Sequence, residues 1–290
     1  MPSLIVSNDG EGVRVDRHLR RVGFYFPQNL FEKWSRQGKL VLNGAKAKAS
    51  ARLREGDTLS FPDDAIPLPP PEEITPLSLT QQEAEVLVHS MGVFEDDAIL
   101  VLNKPSGLAT QGGTGQKISV DNLLKACSPS QRLRLTHRID KETSGLLLIA
   151  KNLQTATALT NAFRDRRVRK TYMAVCKGIF ENKHGLIDSP LGRSESALEK
   201  MSTSGKKVRE ALTYFDVIEE KKGLVWVVLS PKTGRTHQLR VHMSDLGHPI
   251  LGDRKYGGPS AKRLMLHAWK IEFTLHGKDY AFEAQLPSEF

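Results

Sequence analysis

Three polar side chains from separate stretches of the sequence are of types that could carry out chemistry together. They are Asp140, which comes just before an apolar run, Tyr172, in a stretch of alternating character, and Arg235, before a stretch that contains histidine. An ionised aspartate can act as a nucleophile or a base, and its reference pKa of about 3.9 keeps it ionised at neutral pH. In a closed pocket it needs a cation beside it, and arginine, which can bind a carboxylate through two hydrogen bonds, is the suitable partner. We therefore predict that Arg235 pairs with Asp140.

Each of the three also has a structural interpretation. Asp140 can be a turn-capping or ion-paired acid, Tyr172 a half-buried aromatic residue of a strand, and Arg235 a solvated loop charge. The residue types alone leave both interpretations open.

Metal chemistry finds no support in the residue pattern. Cys127 and Cys176 are too few for a disulfide framework or a four-ligand zinc site. On a helix, His237 and His242 would lie about 140° apart, on different faces. We predict no metal, which also disfavours base deamination, a reaction that needs a zinc cluster of histidine and cysteine.

The charge of the chain favours a polyanionic partner. The 290 residues contain 42 Lys and Arg against 33 Asp and Glu, a formal net charge of +9. Residues 11–60 hold eleven of the basic and five of the acidic residues, so the basicity is concentrated at one end. Nucleic acid is the commonest partner of such a surface. The longest apolar run, 146–150, is too short to span a bilayer, and no secretory signal is visible, so we expect a cytoplasmic protein.

A proline-rich stretch indicates a domain boundary. Residues 62–81 contain six of the fifteen prolines, and proline lacks the amide donor and restricts φ. We predict a small domain at residues 1–62, a linker at 63–82 and a larger domain at 83–290.

The small domain is predicted to contain two helices followed by short strands. Asp16 is placed to cap a short basic helix that runs to Val22, and residues 27–37 form a second helix. Asn43-Gly44 is typical of a tight hairpin turn.

The larger domain is predicted to be α+β, with a mixed, mostly antiparallel sheet. Residues 153–165 and 236–247 have helical patterns. Short β-branched or aromatic segments bounded by turn residues predict the strands. These segments are 98–107, 145–151, 170–178, 211–220, 224–230, 270–277 and 280–286.

Several stretches of the larger domain resemble, in order, the sequence blocks of the RluA-type pseudouridine synthases. The central one is "HRIDKETSGLLLIAK", which is similar to the family's His-Arg-Leu-Asp and Thr-Ser-Gly motif with Ile139 in place of leucine. The others are "LNKPSGLATQGG", "KTYMAV", "TGRTHQLRVHMSDLGHPILGDRKYG" and "LMLHAWKIEF", so the resemblance covers about residues 94 to 287. The small domain resembles an S-four-like RNA-binding domain through "RVDRHLRR", "KWSRQGKLVLNGAKAKAS" and "LREGDTLSF".

The resemblance implies an enzyme with the pseudouridine synthase fold that isomerises uridine in RNA to pseudouridine without a cofactor or a metal. By position, Asp140 matches the essential aspartate and Arg235 the arginine that pairs with it. Tyr172 matches the tyrosine that packs on the base and is placed to take its proton. The motif is compatible with Asp140 attacking the sugar or removing a sugar proton.

The residues around Asp140 suit an enzyme that extrudes a nucleotide, because a base must leave its stack before chemistry can reach it. Arg138 matches the residue that fills the space left by the flipped nucleotide, and His137 and Thr143 are predicted to contact the substrate RNA beside it. In the S-four-like domain, seven cations are predicted to line an RNA-facing surface. They are Arg17, Arg20, Arg21, Arg36, Lys39, Lys46 and Lys48.

The predicted partner is RNA, and we expect a monomer. By analogy, the S-four-like domain favours large-subunit ribosomal RNA over transfer RNA as the substrate. Two alternatives stay open: the same activity on transfer RNA, and a non-catalytic RNA-binding protein that assists ribosome assembly.

Overall fold

A computed structural model describes residues 2–7, 10–24, 26, 28–62, 79–112, 118–128, 133–194, 200–203 and 206–290. The chain divides into two compact units, residues 1–75 and 76–290. Residues 63–78 of the predicted linker lie outside the described residues, as does Pro27 at the predicted start of a helix. The end of the predicted linker is helical, because a helix begins at Gln81 and Thr80 caps it by accepting a hydrogen bond from the Glu83 amide.

The first unit contains short helices and an antiparallel sheet. Its elements are β1 (Ser3–Ile5), α1 (Val15–Arg21), α2 (Gln28–Gln37), β2 (Val41–Leu42), β3 (Ala45–Lys46) and β4 (Thr58–Ser60). The strand order is β1-β4-β2-β3. The predicted hairpin is confirmed, since Asn43 and Gly44 join β2 to β3 with φ angles of 50° and 79°, the left-handed pair that a tight hairpin turn requires.

Asp16 does not cap α1, contrary to the prediction. The cap position is Arg14, which has extended backbone and no capping side-chain hydrogen bond. Asp16 lies in the first helical turn, where its carboxylate accepts from Arg14 Nε at 3.0 Å and Nη2 at 2.6 Å. The helix therefore starts two residues earlier than a capping Asp16 would require, while the acid still lies where the helix dipole favours negative charge.

The second unit holds four helices and thirteen strands among its described residues. The helices are α3 (Gln81–Ser90), α4 (Val120–Cys127), α5 (Leu153–Arg164) and α6 (Gln238–Asp245). The strands are β5 (Gly92–Glu95), β6 (Ile99–Lys104), β7 (Arg134–Leu135), β8 (Ser144–Ala150), β9 (Arg169–Lys177), β10 (His184–Asp188), β11 (Leu191–Arg193), β12 (Met201–Ser202), β13 (Lys206–Arg209), β14 (Leu212–Lys221), β15 (Leu224–Pro231), β16 (Leu266–Leu275) and β17 (Lys278–Glu283).

One ten-stranded sheet organises this unit. Its order is β10-β14-β15-β9-β16-β8-β6-β5, with β17 on β16 and β7 on β8. The described pairs are antiparallel except β16 with β8, where His267 lies opposite Ser144. Strands β12, β11 and β13 form a separate small sheet. The predicted α+β class with a mixed, mostly antiparallel sheet is confirmed.

Strand β8 is apolar along its length because it is buried on both faces. All seven of its residues are buried. Leu146 and Leu148 belong to a core cluster that also includes residues of α5, whereas Leu147 and Ile149 belong to a cluster that includes residues of α3 and α4. A strand packed between two cores has no freedom to slide. The loop that enters it, which contains Asp140, is therefore anchored to a strand buried on both faces.

Candidate active site

The loop around Asp140 is held by the turn that follows β6. Residues of the segment 104–110 donate hydrogen bonds to the loop carbonyls before and after Asp140. The bonds run from Thr110 Oγ1 to the Ile139 carbonyl at 2.7 Å, from Lys104 Nζ and the Gly107 amide to the Lys141 carbonyl at 3.1 Å and 2.9 Å, and from Ser106 Oγ to the Glu142 carbonyl at 2.6 Å. The backbone on both sides of the carboxylate is thus fixed from one neighbouring segment.

Lys104 is the central residue of this turn. It is fully buried, and its Nζ also donates to the carbonyls of Pro105 at 2.9 Å and Leu108 at 2.7 Å. Burial lowers the pKa of Lys104 to about 7, against the charges of Glu142 and Asp140, which oppose that shift. Because the buried amine of Lys104 has three carbonyl acceptors, it joins the two loops without leaving its N–H donors unsatisfied.

Arg240 is the cation next to Asp140. Its Nη1 lies 3.9 Å from Asp140 Oδ2, while its Nε and Nη2 each donate to a different oxygen of Asp253 at 2.7 Å. The side chains of Arg240 and Asp253 are 8% and 0% exposed, and that of Asp140 is 21% exposed. Burial acts to lower the pKa of Arg240, but the hydrogen bonds and charge of Asp253, together with the charge of Asp140, raise it above its ordinary value. Asp253 therefore holds a permanent guanidinium with one nitrogen directed at Asp140.

The predicted pairing of Arg235 with Asp140 is wrong. Arg235 precedes α6, and its Nε donates to the Glu210 carbonyl at 2.9 Å. Its backbone amide donates to Gln238 Oε1 at 2.9 Å, which fixes the turn into the helix. Arg240, in the first turn of α6, is the arginine that the helix carries to the aspartate.

Asp140 faces a cavity of about 500 Å³. Tyr172 of β9 forms part of its wall, together with both Arg235 and Arg240. Burial and the nearby charge of Asp140 raise the pKa of Tyr172, so its phenol is neutral at physiological pH. The carboxyl group of Asp140, a buried guanidinium and a neutral aromatic ring thus line one pocket of a size suited to a small organic group.

Comparison with known proteins identifies the family. The sequence pattern of the RNA pseudouridylate synthases matches residues 98–245, which include Asp140, Tyr172, Arg235 and Arg240 of this pocket. The chain belongs to the RNA pseudouridylate synthase family. The protein is an enzyme that converts uridine in RNA to pseudouridine, and the predicted family and activity are confirmed.

Relatives in this family align over nearly the whole chain. The ribosomal large subunit pseudouridine synthase C of Rickettsia bellii (strain RML369-C) is 37% identical over 99% of both chains. The protein of the same name from Vibrio vulnificus (strain CMCP6) is 35% identical over 97% of this chain and 91% of its own.

Two solved structures share the fold of the pseudouridine synthase unit. Human RNA Pseudouridylate Synthase Domain Containing 1 is 30% identical with a TM-score of 0.59, over 67% of this chain and 82% of its own. Human RNA Pseudouridylate Synthase Domain Containing 4 is 26% identical with a TM-score of 0.63, over 72% of this chain and 94% of its own.

The other residues predicted beside Asp140 also line the synthase pocket, in different environments. Arg138 is exposed. Thr143 is buried, and its amide donates to the Asp140 carbonyl at 3.1 Å. His137 accepts a hydrogen bond from the Leu148 amide at Nε2, 2.9 Å away, and burial together with the charge of Lys170 lowers its pKa to about 3. A neutral His137 therefore ties the loop to β8, while its ring still borders the pocket.

Sequence reasoning missed a second group that faces Asp140. His237 has left-handed backbone at the start of α6, with a φ angle of 54°, and its Nδ1 lies 2.7 Å from the Tyr256 hydroxyl. That hydroxyl also accepts from the Met201 amide at 3.0 Å, and the Tyr256 ring lies 5.2 Å from the guanidinium carbon of Arg240. Burial lowers the pKa of His237 although Asp140 opposes that shift. The sequence feature that could have predicted this group is "GDRKYG", which follows α6 and contains Asp253 and Tyr256.

The seven cations predicted to bind RNA in the first unit are all exposed: Arg17, Arg20, Arg21, Arg36, Lys39, Lys46 and Lys48. Arg17, Arg20 and Arg21 follow i, i+3 and i+4 spacing along α1 and therefore share one face of the helix. Lys46 Nζ donates to the Arg36 carbonyl at 3.0 Å, which brings β3 to the end of α2. Their role stays a prediction.

The described residues also bear on metal binding and on membrane crossing. No group of three or more His, Cys, Asp or Glu side chains there is arranged to hold a metal ion. None of the helices there is long and apolar enough to cross a bilayer.

Proposed function

We propose that the substrate of this synthase is uridine in large-subunit ribosomal RNA and that Asp140 is its catalytic residue. The observation that supports the catalytic assignment is the buried Asp253–Arg240 pair, which leaves Nη1 of Arg240 directed at the Asp140 carboxylate. The substrate assignment rests on the printed names of relatives that align over at least nine-tenths of both chains. The proposal also takes the protein to act as a monomer in the cytoplasm.

The reaction breaks the bond between ribose C1′ and uracil N1 and forms a bond between C1′ and uracil C5. The C5 hydrogen leaves as a proton, and N1 gains one, so no atom is lost from the RNA. Asp140 acts at the sugar, either by bonding to C1′ or by removing a sugar proton, and both roles need the ionised carboxylate. Arg240 places a positive charge beside that carboxylate, with Nη1 3.9 Å from Oδ2.

Tyr172 takes the role of packing against the uracil. Burial raises the pKa of its phenol and so disfavours the phenolate that would be the stronger proton acceptor. A neutral ring beside the carboxylate keeps the detached uracil close to the sugar while it turns, which is a positioning role. Arg138, exposed at the rim of the pocket, is placed to fill the gap that the extruded nucleotide leaves in the RNA.

The test is pseudouridine mapping in ribosomal and transfer RNA from cells that lack the gene. The cells are complemented with wild type, with Asp140→Asn, or with Asp216→Asn, a matched change of an exposed aspartate on β14. We expect a site in large-subunit ribosomal RNA to vanish with the gene and to return with wild type and Asp216→Asn but not with Asp140→Asn.

Each other outcome contradicts one part of the proposal. A site restored by Asp140→Asn would remove Asp140 from catalysis. A site that changes only in transfer RNA would overturn the substrate assignment. No changed site in either RNA would favour a non-catalytic role in these cells.

A further inference from the structure

The C5 proton of uracil finds no good acceptor in either Asp140 or Tyr172. Once C1′ has bonded to C5, that carbon has four single bonds and must lose its hydrogen before pseudouridine is complete. Asp140 acts at the sugar, and burial together with the charge of Asp140 raises the pKa of Tyr172, which makes its phenol a poor proton acceptor. The acceptor is therefore to be sought among the other groups of the pocket wall.

Two histidines line the pocket of Asp140, and they differ in the nitrogen that each can offer. Nε2 of His137 accepts from the Leu148 amide at 2.9 Å, so its other ring nitrogen carries the hydrogen of the neutral imidazole. His237 is half-buried, and its Nδ1 lies 2.7 Å from the Tyr256 hydroxyl. Nε2 of His237 has no hydrogen-bond partner among the described residues, so it is the nitrogen that can accept a proton.

The Tyr256 hydroxyl suits a histidine that gains and loses a proton. Its oxygen accepts from the Met201 amide at 3.0 Å and can also accept the Nδ1–H of His237. That bond selects the tautomer in which the lone pair is on Nε2, on the opposite side of the ring from Tyr256. When Nε2 gains a proton, the bond from Nδ1 persists, so the imidazolium form is stabilised without rearrangement.

His237 is fixed by the same residues that hold the cation beside Asp140. Its φ angle of 54° is left-handed, a conformation that is uncommon for a residue with a Cβ and that recurs at active sites. The Tyr256 amide donates to Asp253 Oδ1 at 3.2 Å, and Asp253 also binds the guanidinium of Arg240. The imidazole and the cation beside Asp140 thus share one support.

The position of His237 gives its proton a route to the solvent. His237 and Asp140 both line the pocket and also a second, adjoining cavity of about 1110 Å³. A ring in this shared wall borders the space in which the uracil turns, and it also borders a wider space through which a proton can leave.

We propose that His237 is the general base that removes the hydrogen of uracil C5 as a proton. This rests on the proposed function, because it takes Asp140 to act at the sugar of a uridine held in the same pocket. The C5–H bond breaks and its proton goes to Nε2 of His237, while its electron pair forms the C5–C6 double bond. The pair of the C6–N1 double bond moves to N1, which takes a proton from the solvent. His237 then gives its proton to the solvent, so the enzyme returns to its starting state.

The surroundings of His237 favour the neutral imidazole that this step needs. Burial lowers the pKa of His237, and the charge of Asp140 acts in the opposite direction. Arg240 and Lys255 lower the pKa further, while Asp253 raises it. A histidine whose pKa lies below its ordinary value is neutral at physiological pH and can accept a proton there.

The test replaces His237 with glycine, which adopts left-handed backbone without strain and leaves space for added imidazole. The full-length enzyme acts on large-subunit ribosomal RNA transcribed in vitro with either hydrogen or deuterium at uracil C5. Pseudouridine formation is followed in single turnovers at saturating enzyme. The control is His248→Asn, because the His248 ring stacks on Phe180 at 3.8 Å and lines neither cavity.

His237→Gly should lower the rate about 100-fold to 10,000-fold, which is the usual contribution of a general base. Because only the step that breaks the C5–H bond loses its base, the isotope effect should exceed that of wild type. Added imidazole should restore part of the rate, and substituted imidazoles of similar size should restore more as their basicity rises. His248→Asn should match wild type in both rate and isotope effect.

A loss of rate with neither a larger isotope effect nor rescue would show that His237 only supports the fold of the site, and would overturn the proposal. A wild-type rate in His237→Gly would overturn it as well. A larger isotope effect in Lys170→Met, with none in His237→Gly, would assign the base to the lysine of the same pocket instead. Failure of the proposed function is separate, because the wild-type enzyme would then form no pseudouridine in this RNA.

Discussion

Replacing Arg240 with glutamine removes the cation beside Asp140 and leaves the buried carboxylate of Asp253 without its partner. Asp253 is 0% exposed and makes two hydrogen bonds of 2.7 Å to the guanidinium, so breaking this pair should cost about 3 to 5 kcal/mol of unfolding free energy. The distance of 3.9 Å from Nη1 to Asp140 corresponds to about 4 kcal/mol at an effective dielectric constant of about 20. Loss of this interaction should therefore lower turnover by at most about a thousandfold. Arg235→Gln, which gives up one hydrogen bond to the Glu210 carbonyl, should cost about 1 kcal/mol and less than tenfold in turnover.

A double substitution separates stability from chemistry. Arg240→Gln with Asp253→Asn removes the unpaired buried charge and should recover most of the lost stability in urea unfolding. Turnover should stay lost, because Asp140 still has no cation beside it. The assay is release of tritium from RNA labelled at uracil C5, since that hydrogen leaves when the C1′–C5 bond forms. Recovery of turnover in the double variant, or an equal loss in Arg235→Gln and Arg240→Gln, would refute the assignment of Arg240 as the partner of Asp140.

Three other perturbations have defined outcomes. Thr110→Val leaves the Ile139 carbonyl, next to Asp140, without its hydrogen-bond donor, so it should lower stability by about 1 to 3 kcal/mol and reduce turnover. Thr110→Ser keeps the hydroxyl and should change neither quantity. Equal behaviour of the two variants in the tritium assay would contradict a role of Thr110 in positioning Asp140. Burial holds the pKa of His267 at about 4, below the value of about 6.5 expected in the unfolded chain, so the unfolded state binds the extra proton and the fold loses stability as the pH falls from 6.5 towards 4. Urea unfolding should show that wild type loses about 2 kcal/mol more than His267→Phe between pH 6.5 and pH 5, and parallel pH profiles would argue against it. Arg17→Ala with Lys39→Ala and Lys48→Ala should make the salt slope of RNA binding shallower by about 2 to 3 without changing the melting temperature, and an unchanged slope would remove this face from the RNA interface.

The fold could be predicted well where the periodicity of the sequence was decisive. The long apolar strand after Asp140 and the helical stretch after it correspond to β8 and α5. The elements that were missed are the helices α3 and α4 and the strands β1, β5, β7 and β10 to β13. Those strands are short or only partly buried, so neither a long apolar run nor strict alternation marks them.

Of the residues around the pocket, Asp140, Tyr172 and Arg235 were named from the sequence, whereas Arg240 and its pairing with Asp140 were not. Asp140 and Tyr172 were found because their motifs are contiguous in the sequence. The cation was assigned to Arg235 because a carboxylate in a pocket was expected to take both hydrogen bonds of its arginine. In the structure Asp253, thirteen residues beyond Arg240, takes both, and Asp140 receives only the remaining nitrogen. Which arginine reaches the aspartate depends on where α6 begins, and a boundary of that kind is not encoded in residue types.

The local distribution of charge in the second unit could not be predicted from its average composition either. Residues 11–60 hold most of the net charge, which favoured the prediction of an RNA-binding surface in the first unit, whereas the rest of the chain is close to neutral on average. That average conceals a cavity lined by nine cations and two acids. A nearly neutral composition is therefore compatible with a strongly cationic wall next to Asp140.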